Sequence, residues 1–259
     1  MSLLFHPVAG AIIGLIVGSF LATILVRWPA GQSVVSGRSR CDHCQMELGF
    51  RDLVPILSYV LRSGKCRSCG EKIAPEHPAI EITAAIIGAL AFALAPDVNG
   101  LLGAVLGWQL LLLGALDVKH HWLPDRLTLL LVLSGLLAGL LPGEPLLADR
   151  AIGAVAGFGS LAAIRYLYFL ARGKEGLGQG DAKLLAGIGA WLGWAALPLV
   201  VLLACLIGLS GILLSRLKGQ TVGADTALPF GSYLAVAAFP LWLVTTSIPV
   251  TDLIGSLVL

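Results

Sequence analysis

Apolar residues gather into eight runs along the chain, at about 8–26, 79–95, 101–116, 123–141, 150–171, 182–196, 198–215 and 228–248. A helix needs about 20 mostly apolar residues to cross a hydrocarbon core of roughly 30 Å. Measured against that length, the pattern predicts an all-α polytopic membrane protein with about eight transmembrane helices. The fourth and fifth runs are the most clearly bounded, whereas only the stretch GWAALP separates the sixth from the seventh. Composition points the same way, with 57% hydrophobic and 12% charged residues and a mean hydropathy of +0.91, values that belong to membrane chains. The first run, Val8–Val26, has no basic segment before it and no small-residue cleavage site after it. It is therefore expected to stay as a span rather than leave as a signal peptide.

The net charge of +2 says little, but the placement of the 17 lysines and arginines says more. Eight lie between Arg27 and Lys72, Lys119 and Arg126 follow the third run, Arg172, Lys174 and Lys183 follow the fifth, and Arg216 and Lys218 follow the seventh. Only Arg150 and Arg165 fall elsewhere. Loops rich in Lys and Arg stay on the cytoplasmic side, so these loops are expected inside and both termini outside. The basic loop also carries Asp42, Glu47, Asp52, Glu71 and Glu76, which dilutes any phosphate-binding stripe. Membrane lipid is the expected contact and nucleic acid is not.

Between the first two runs the composition changes abruptly, giving an expected organisation of a first helix (1–26), a small soluble insert (27–78) and a helical bundle (79–259). The insert holds CDHC (Cys41, Cys44) and CRSC (Cys66, Cys69). A CxxC turn presents two thiolates to one side of a metal, and two such turns complete a tetrahedral zinc shell with no open position. Two disulfides are disfavoured in a reducing cytoplasm. The zinc is thus expected to be structural, and a domain of this size would draw much of its folding energy from it. His43 and His77 are expected on the surface, and Cys205 as a small buried hydrophobe.

Two acids border the apolar runs at the same expected face. Asp117 ends the third in GALDVKHHWLPDRLT, and Asp181 opens the sixth in GLGQGDAKLLAGIGAW. Ionisable groups at such positions default to a functional reading. Asp125 differs, since it follows Pro124 and precedes RLTLLLVLSGLL, as a helix N-cap would. Small residues at four-residue spacing, Gly103 with Gly107 and then Gly114, and Ala186 with Ala190 and Gly189 with Gly193, would let the third and sixth helices approach closely. Lys183, two positions after Asp181, points away from it on a regular helix and is expected at the lipid interface.

LDVKHHWLPDRLT followed by GKEGLGQGDAKLLAGIGAWLGW resembles the type IV prepilin peptidases, a family of GxGD membrane aspartic proteases. SRCDHC, PILSYVLRSGKCRSC and PEHPAIE follow the family's order, and the likeness covers nearly the whole chain. The resemblance implies a catalytic pair at Asp117 and Asp181, with Gly178 and Gly180 as a flexible lead-in, and a zinc loop at the four cysteines. It also implies cleavage of prepilin or pseudopilin leaders at the cytoplasmic face of the bacterial inner membrane, followed by S-adenosylmethionine-dependent methylation of the new N-terminus. Ala22 in GSFLATI and Ser63 in LRSGKC depart from the family's pattern.

Two adjacent carboxyls share one proton, so one serves as base and the other as acid. A helix N-terminus favours an anion and a C-terminus disfavours it, which assigns the resting proton to Asp117 and the base to Asp181. A transporter or proton-coupled channel is the alternative, but it would place its acids near the midplane. A zinc protease is excluded, because no HExxH occurs and a four-thiolate shell is closed.

Overall fold

The computed structural model describes residues 5–34, 39–41, 43–49, 52–219, 223 and 228–246. The last two positions of the eighth expected run, Asp42 and both chain ends fall outside them. The described elements are helices: α1 (Pro7–Arg27), α2 (Leu57–Leu61), α3 (Glu76–Leu94), α4 (Val98–His120), α5 (Asp125–Ala138), α6 (Leu147–Arg172), α7 (Gln179–Leu192), α8 (Leu197–Leu217) and α9 (Phe230–Thr245). Apart from the short α2, one helix meets each expected run. Among the described residues, five stretches are long and apolar enough to cross a membrane: α1, α3, α4, α6, and α8 with the 3-10 turn before it. By contrast α5 and α7 have 14 residues each and α9 has 16. Fourteen residues rise about 21 Å. The sixth and seventh runs part at Gly193, whose φ of 76° ends α7. The chain forms two compact units, residues 1–112 and 113–259, with the division inside α4.

In the N-terminal unit α1 lies against α3 through Gly10, Gly14 and Gly18. A Cβ on any of them would collide with the α3 backbone at Gly88, Ala84 or Glu81. Such close approach replaces the hydrophobic drive that lipid cannot supply between helices. The indole of Trp108 on α4 donates to the Ala84 carbonyl at 2.9 Å. Glu81, buried on α3, accepts from the backbone N–H of Ile56 at 2.8 Å. Ile56 has a φ of 60°, a region unfavourable for a β-branched residue, and the carboxylate holds the insert in that conformation.

In the C-terminal unit α7 is the core. Asp181, Ala182 and every residue from Leu184 to Leu192 are buried, so its backbone needs no lipid contact although the helix is short. Its small residues serve α6 and α5. Gly189 meets Gly153 backbone to backbone, Leu185 meets Gly157, and Ala190 meets Gly135. The Trp191 indole donates to the Leu131 carbonyl at 3.0 Å. This corrects the expected use of the α7 stripe, because a face occupied by α6 and α5 is not available for drawing α4 in. Gly114 of α4 instead faces Ala235 of α9.

Arg150, one of the two basic residues outside the charge pattern, is buried on α6. Its guanidinium donates to the carbonyls of Pro145 at 2.9 Å, Gly135 at 3.2 Å and Ala190 at 3.3 Å. It therefore pins the ends of α5 and α7 to α6, and it is a structural charge rather than a topological one. Arg150→Met keeps the length and removes the donors. The Gly135 carbonyl keeps its bond from the Gly139 N–H, but the Pro145 and Ala190 carbonyls lose the guanidinium, at about 1–3 kcal/mol for a buried acceptor left unpaired, so the variant should unfold at a clearly lower temperature in detergent. A melting curve that overlays the parent would refute the pin.

Candidate acid pair and metal centre

Asp117 sits in the last turn of α4 and Asp181 in the first turn of α7, and both are more than nine-tenths buried. The first turn of α9 joins them. The Ser232 backbone N–H donates to Asp117 Oδ2 at 2.7 Å, and the backbone of Gly231 faces both carboxylates. A Cβ on Gly231 would lie 3.0 Å from Asp117 Oδ2 and 3.0 Å from Asp181 Oδ1. Those two oxygens are therefore no farther apart than twice that distance. Only glycine leaves this point open.

Gly231 and Ser232, in PFGSY, were not singled out from the sequence. The available signal was a Pro followed by the start of an apolar run, which marks a helix N-terminus and hence a set of free N–H groups. They bear on the expected assignment of the resting proton, which weighed only the acids' own helix ends. Asp117 ends α4, but it also rests on the N-terminus of α9, which favours an anion. The asymmetry between the two acids shrinks accordingly.

Asp181 is the third residue of α7, and the backbone of Gly178, at the N-cap, faces its carboxylate. An acid at this position that reaches back to the cap residue completes half of a capping box. Gly180 is pressed on Leu123, where a Cβ would come within 2.8 Å of the Leu123 Cβ. The lead-in is also fastened to α6. Gly173 ends α6 with a φ of 65°, Gly176 lies on the Tyr168 ring, and Arg165 Nη2 meets Glu175 Oε1 at 2.7 Å. With the Gln179 amide turned so that its oxygen faces the guanidinium, as the surrounding donors require, both Arg165 Nη atoms also lie 3.2–3.3 Å from that oxygen. The second outlying basic residue is thus the strap of the loop that delivers Asp181.

Asp125 is not an N-cap. Pro124 takes that position, and Asp125 is the first residue of α5 with no side-chain cap bond. A proline already has the extended geometry of a cap, with a ψ of 132°, so the helix begins one residue earlier than expected. The Asp125 carboxylate instead pairs with Lys183 Nζ at 2.6 Å, tying the first turns of α5 and α7. Lys183 is accordingly a partner of Asp125. Cys205 is exposed rather than buried.

The acids open onto a cavity of about 1210 Å³ lined by His121, Leu177, Cys205, Leu209, Phe230 and Tyr233 among others. The His121 ring is near enough to interact electrostatically with Asp117.

The four cysteines converge within the N-terminal unit. Their sulfurs all lie within 4.8 Å of one another, with Cys41 and Cys69 at 3.9 Å. Tetrahedral zinc–thiolate bonds of about 2.3 Å set sulfurs about 3.8 Å apart, so the cluster fits. Each CxxC is the same small turn. The Cys41 N–H bonds to the Met46 carbonyl and the Gln45 N–H to that of Cys41, while Cys66 with Glu71 and Gly70 with Cys66 repeat this. Antiparallel bridges Arg40↔Glu47 and Lys65↔Lys72 close the two turns. The fifth position is left-handed in both, at Gln45 (57°) and Gly70 (73°).

Backbone N–H groups of Cys69 and Ser68 hold the Cys66 thiol down, to about 6. The Glu71 N–H lowers Cys69, but desolvation and the other three sulfurs outweigh it and push Cys69 up to about 12. Four sulfurs this close share protons until a cation replaces them. Neither His43 nor His77 joins the cluster.

Zinc loading of chelated protein should therefore release protons and increase amide-exchange protection across residues 39–73. Cys44→Ser should lower zinc affinity by at least tenfold. Unchanged exchange between chelated and zinc-loaded protein would count against a structural metal.

Residues 12–95 match the family model for the bacterial peptidase A24 N-terminal domain, and residues 104–213 match that of the type IV leader peptidase family. A prepilin leader peptidase/N-methyltransferase from Aeromonas hydrophila is 41% identical over 206 residues, covering 78% of this chain and 70% of that protein. One of the same name from Pseudomonas aeruginosa is 35% identical over 265 residues, covering 90% of each. Another, from Klebsiella pneumoniae, is 40% identical over 198 residues, covering 74% of this chain and 87% of the relative. No solved structure matches. With two family models in tandem and relatives this similar over most of their length, the chain belongs to the type IV leader peptidase family.

Proposed function

We propose that this protein is a membrane aspartic endopeptidase that removes the leader of prepilins or pseudopilins, with Asp117 and Asp181 as its catalytic pair. The observation that carries the proposal is the meeting of two buried carboxyls at Gly231, beside a cavity wide enough for a peptide. Two carboxyls so placed hold a single proton between them. The ionised one takes a proton from water as its oxygen attacks the scissile carbonyl carbon. The protonated one supplies a proton to the carbonyl oxygen. Collapse of the tetrahedral adduct then breaks the C–N bond, the amine leaves with a proton from the pair, and a hydroxyl proton of the adduct passes back to the pair, which again holds one proton. The N–H groups of α9 and the Gly178 backbone fix the carboxyls, and the Arg165 strap fixes the loop before Asp181.

The distribution of Lys and Arg supports the pair and the cysteine loop facing the cytoplasm and the termini facing away. In this reading zinc at Cys41, Cys44, Cys66 and Cys69 is structural, because all four positions are thiolates. The relatives' names support N-methylation of the new amine as a second step. A separate concavity of about 310 Å³ in the N-terminal unit is lined by Arg27, Tyr59, Arg62 and Glu81. Those residues suit S-adenosylmethionine, with a basic partner for its carboxylate, a ring for its adenine and an acid for its ribose or sulfonium. Bound there, S-adenosylmethionine would supply a methyl group from its sulfonium sulfur to the amine nitrogen.

Incubating the purified protein with a peptide made of a basic leader and an apolar helix, plus S-adenosylmethionine, should yield a shortened and methylated product by mass spectrometry. General acid–base groups contribute about 10²–10⁴-fold in rate, so Asp117→Asn and Asp181→Asn should each lower cleavage by at least that range while the protein still inserts. Gly231→Ala should slow cleavage at least tenfold, since its methyl would stand between the acids. Cleavage by the Asp181→Asn protein at the parent rate would end the proposal.

A further inference from the structure

The peptidase reading places the scissile bond at the acid pair but leaves open where the rest of the substrate lies. The cavity beside the pair runs on from Asp117 and Asp181 along α8, past Cys205, Gly208, Leu209 and Ile212. It exists because α8 packs chiefly on α9 and barely touches α7. Gly208 allows the Tyr233 ring to lie flat on α8, where a Cβ would be 3.0 Å from two ring carbons. That ring and Phe230 form the α9 wall of the groove. Cys205 is exposed, Leu209 is 63% exposed, and neighbouring Leu202 and Leu206 are also exposed. Along α8 and α9 the groove is therefore apolar and open at the side, whereas its other end carries Asp125, Lys174, Glu175 and Lys183 around the acid pair, so an apolar occupant enters from the α8 side.

We propose that this groove seats the first two turns of the substrate's membrane helix, with Cys205, Leu209 and Tyr233 as its contact residues. The inference rests on the peptidase reading. The lining itself gives the length: Cys205 to Ile212, the stretch of α8 along the groove, spans about two turns at about 1.5 Å per residue. A helix in this seat begins at the acid pair, so the amide just before it is the one presented for cleavage. The bond is thereby selected by the position of an apolar helix, and the side chains around the bond are left less constrained.

The native thiol at Cys205 gives a direct test. Full-length zinc-loaded Asp181→Asn protein in nanodiscs is mixed with leader–helix peptides, each bearing one thiosulfonate-activated cysteine along the first ten helical positions. Disulfides to Cys205, located by mass spectrometry, should recur every three or four positions and vanish in Cys205→Ser. With active protein, Cys205→Trp should raise KM at least tenfold, whereas Leu213→Trp, at an exposed position of α8 outside the groove lining, should not. No disulfide to Cys205, disulfides at every position alike, a Cys205–Cys205 bond between two copies, or parent-like KM in Cys205→Trp would each overturn the seat. Failure of the parent protein to cleave any such peptide would sink the peptidase reading itself, whereas normal cleavage with an unaffected Cys205→Trp would sink only the groove.

Discussion

Buried carboxyls are stable only where something answers their charge, and in the C-terminal unit the answer comes from the first turn of α9. The N–H of Ser232 and the backbone of Gly231 meet Asp117 and Asp181 from one side, and the absence of a Cβ at Gly231 lets the two acids approach each other. A helix N-terminus carries unpaired N–H groups and partial positive charge, so one short turn takes the place of water around a buried pair. The placement of α4, α7 and α9 around that turn is the condition for any two-acid chemistry there.

The two arginines outside the charge pattern are explained by what they touch. Arg150 gathers three carbonyls at the ends of α5, α6 and α7. Arg165, seven residues before the end of α6, straps Glu175 and Gln179. One fixes the far end of α7 and the other fixes the loop that leads into it, so α7 is held at both ends while its middle is packed by glycine contacts to α6. For a helix of 14 residues that cannot cross a bilayer alone, such fixing decides where Asp181 comes to rest.

The N-terminal unit uses different means. Its insert has little core, and its order comes from two matching CxxC turns, an Asp52–Arg62 ion pair and the bond from Ile56 to buried Glu81. The four-cysteine cluster and the polar concavity both lie within this unit.

The all-helical class, the cysteine quartet and the candidacy of Asp117 and Asp181 were legible in the order of residues, because apolar length, CxxC spacing and a carboxylate beside an apolar run each carry local meaning. Gly231, the Arg165 strap, the Asp125–Lys183 pair and the exposure of Cys205 were not, because each depends on a partner distant in sequence. The α7 glycine stripe shows the limit well: spacing announces that a helix can be approached closely, but not by which neighbour. Local pattern therefore determined what each segment could be, and tertiary packing alone decided which backbone turn met the acids and which face of α8 was left open.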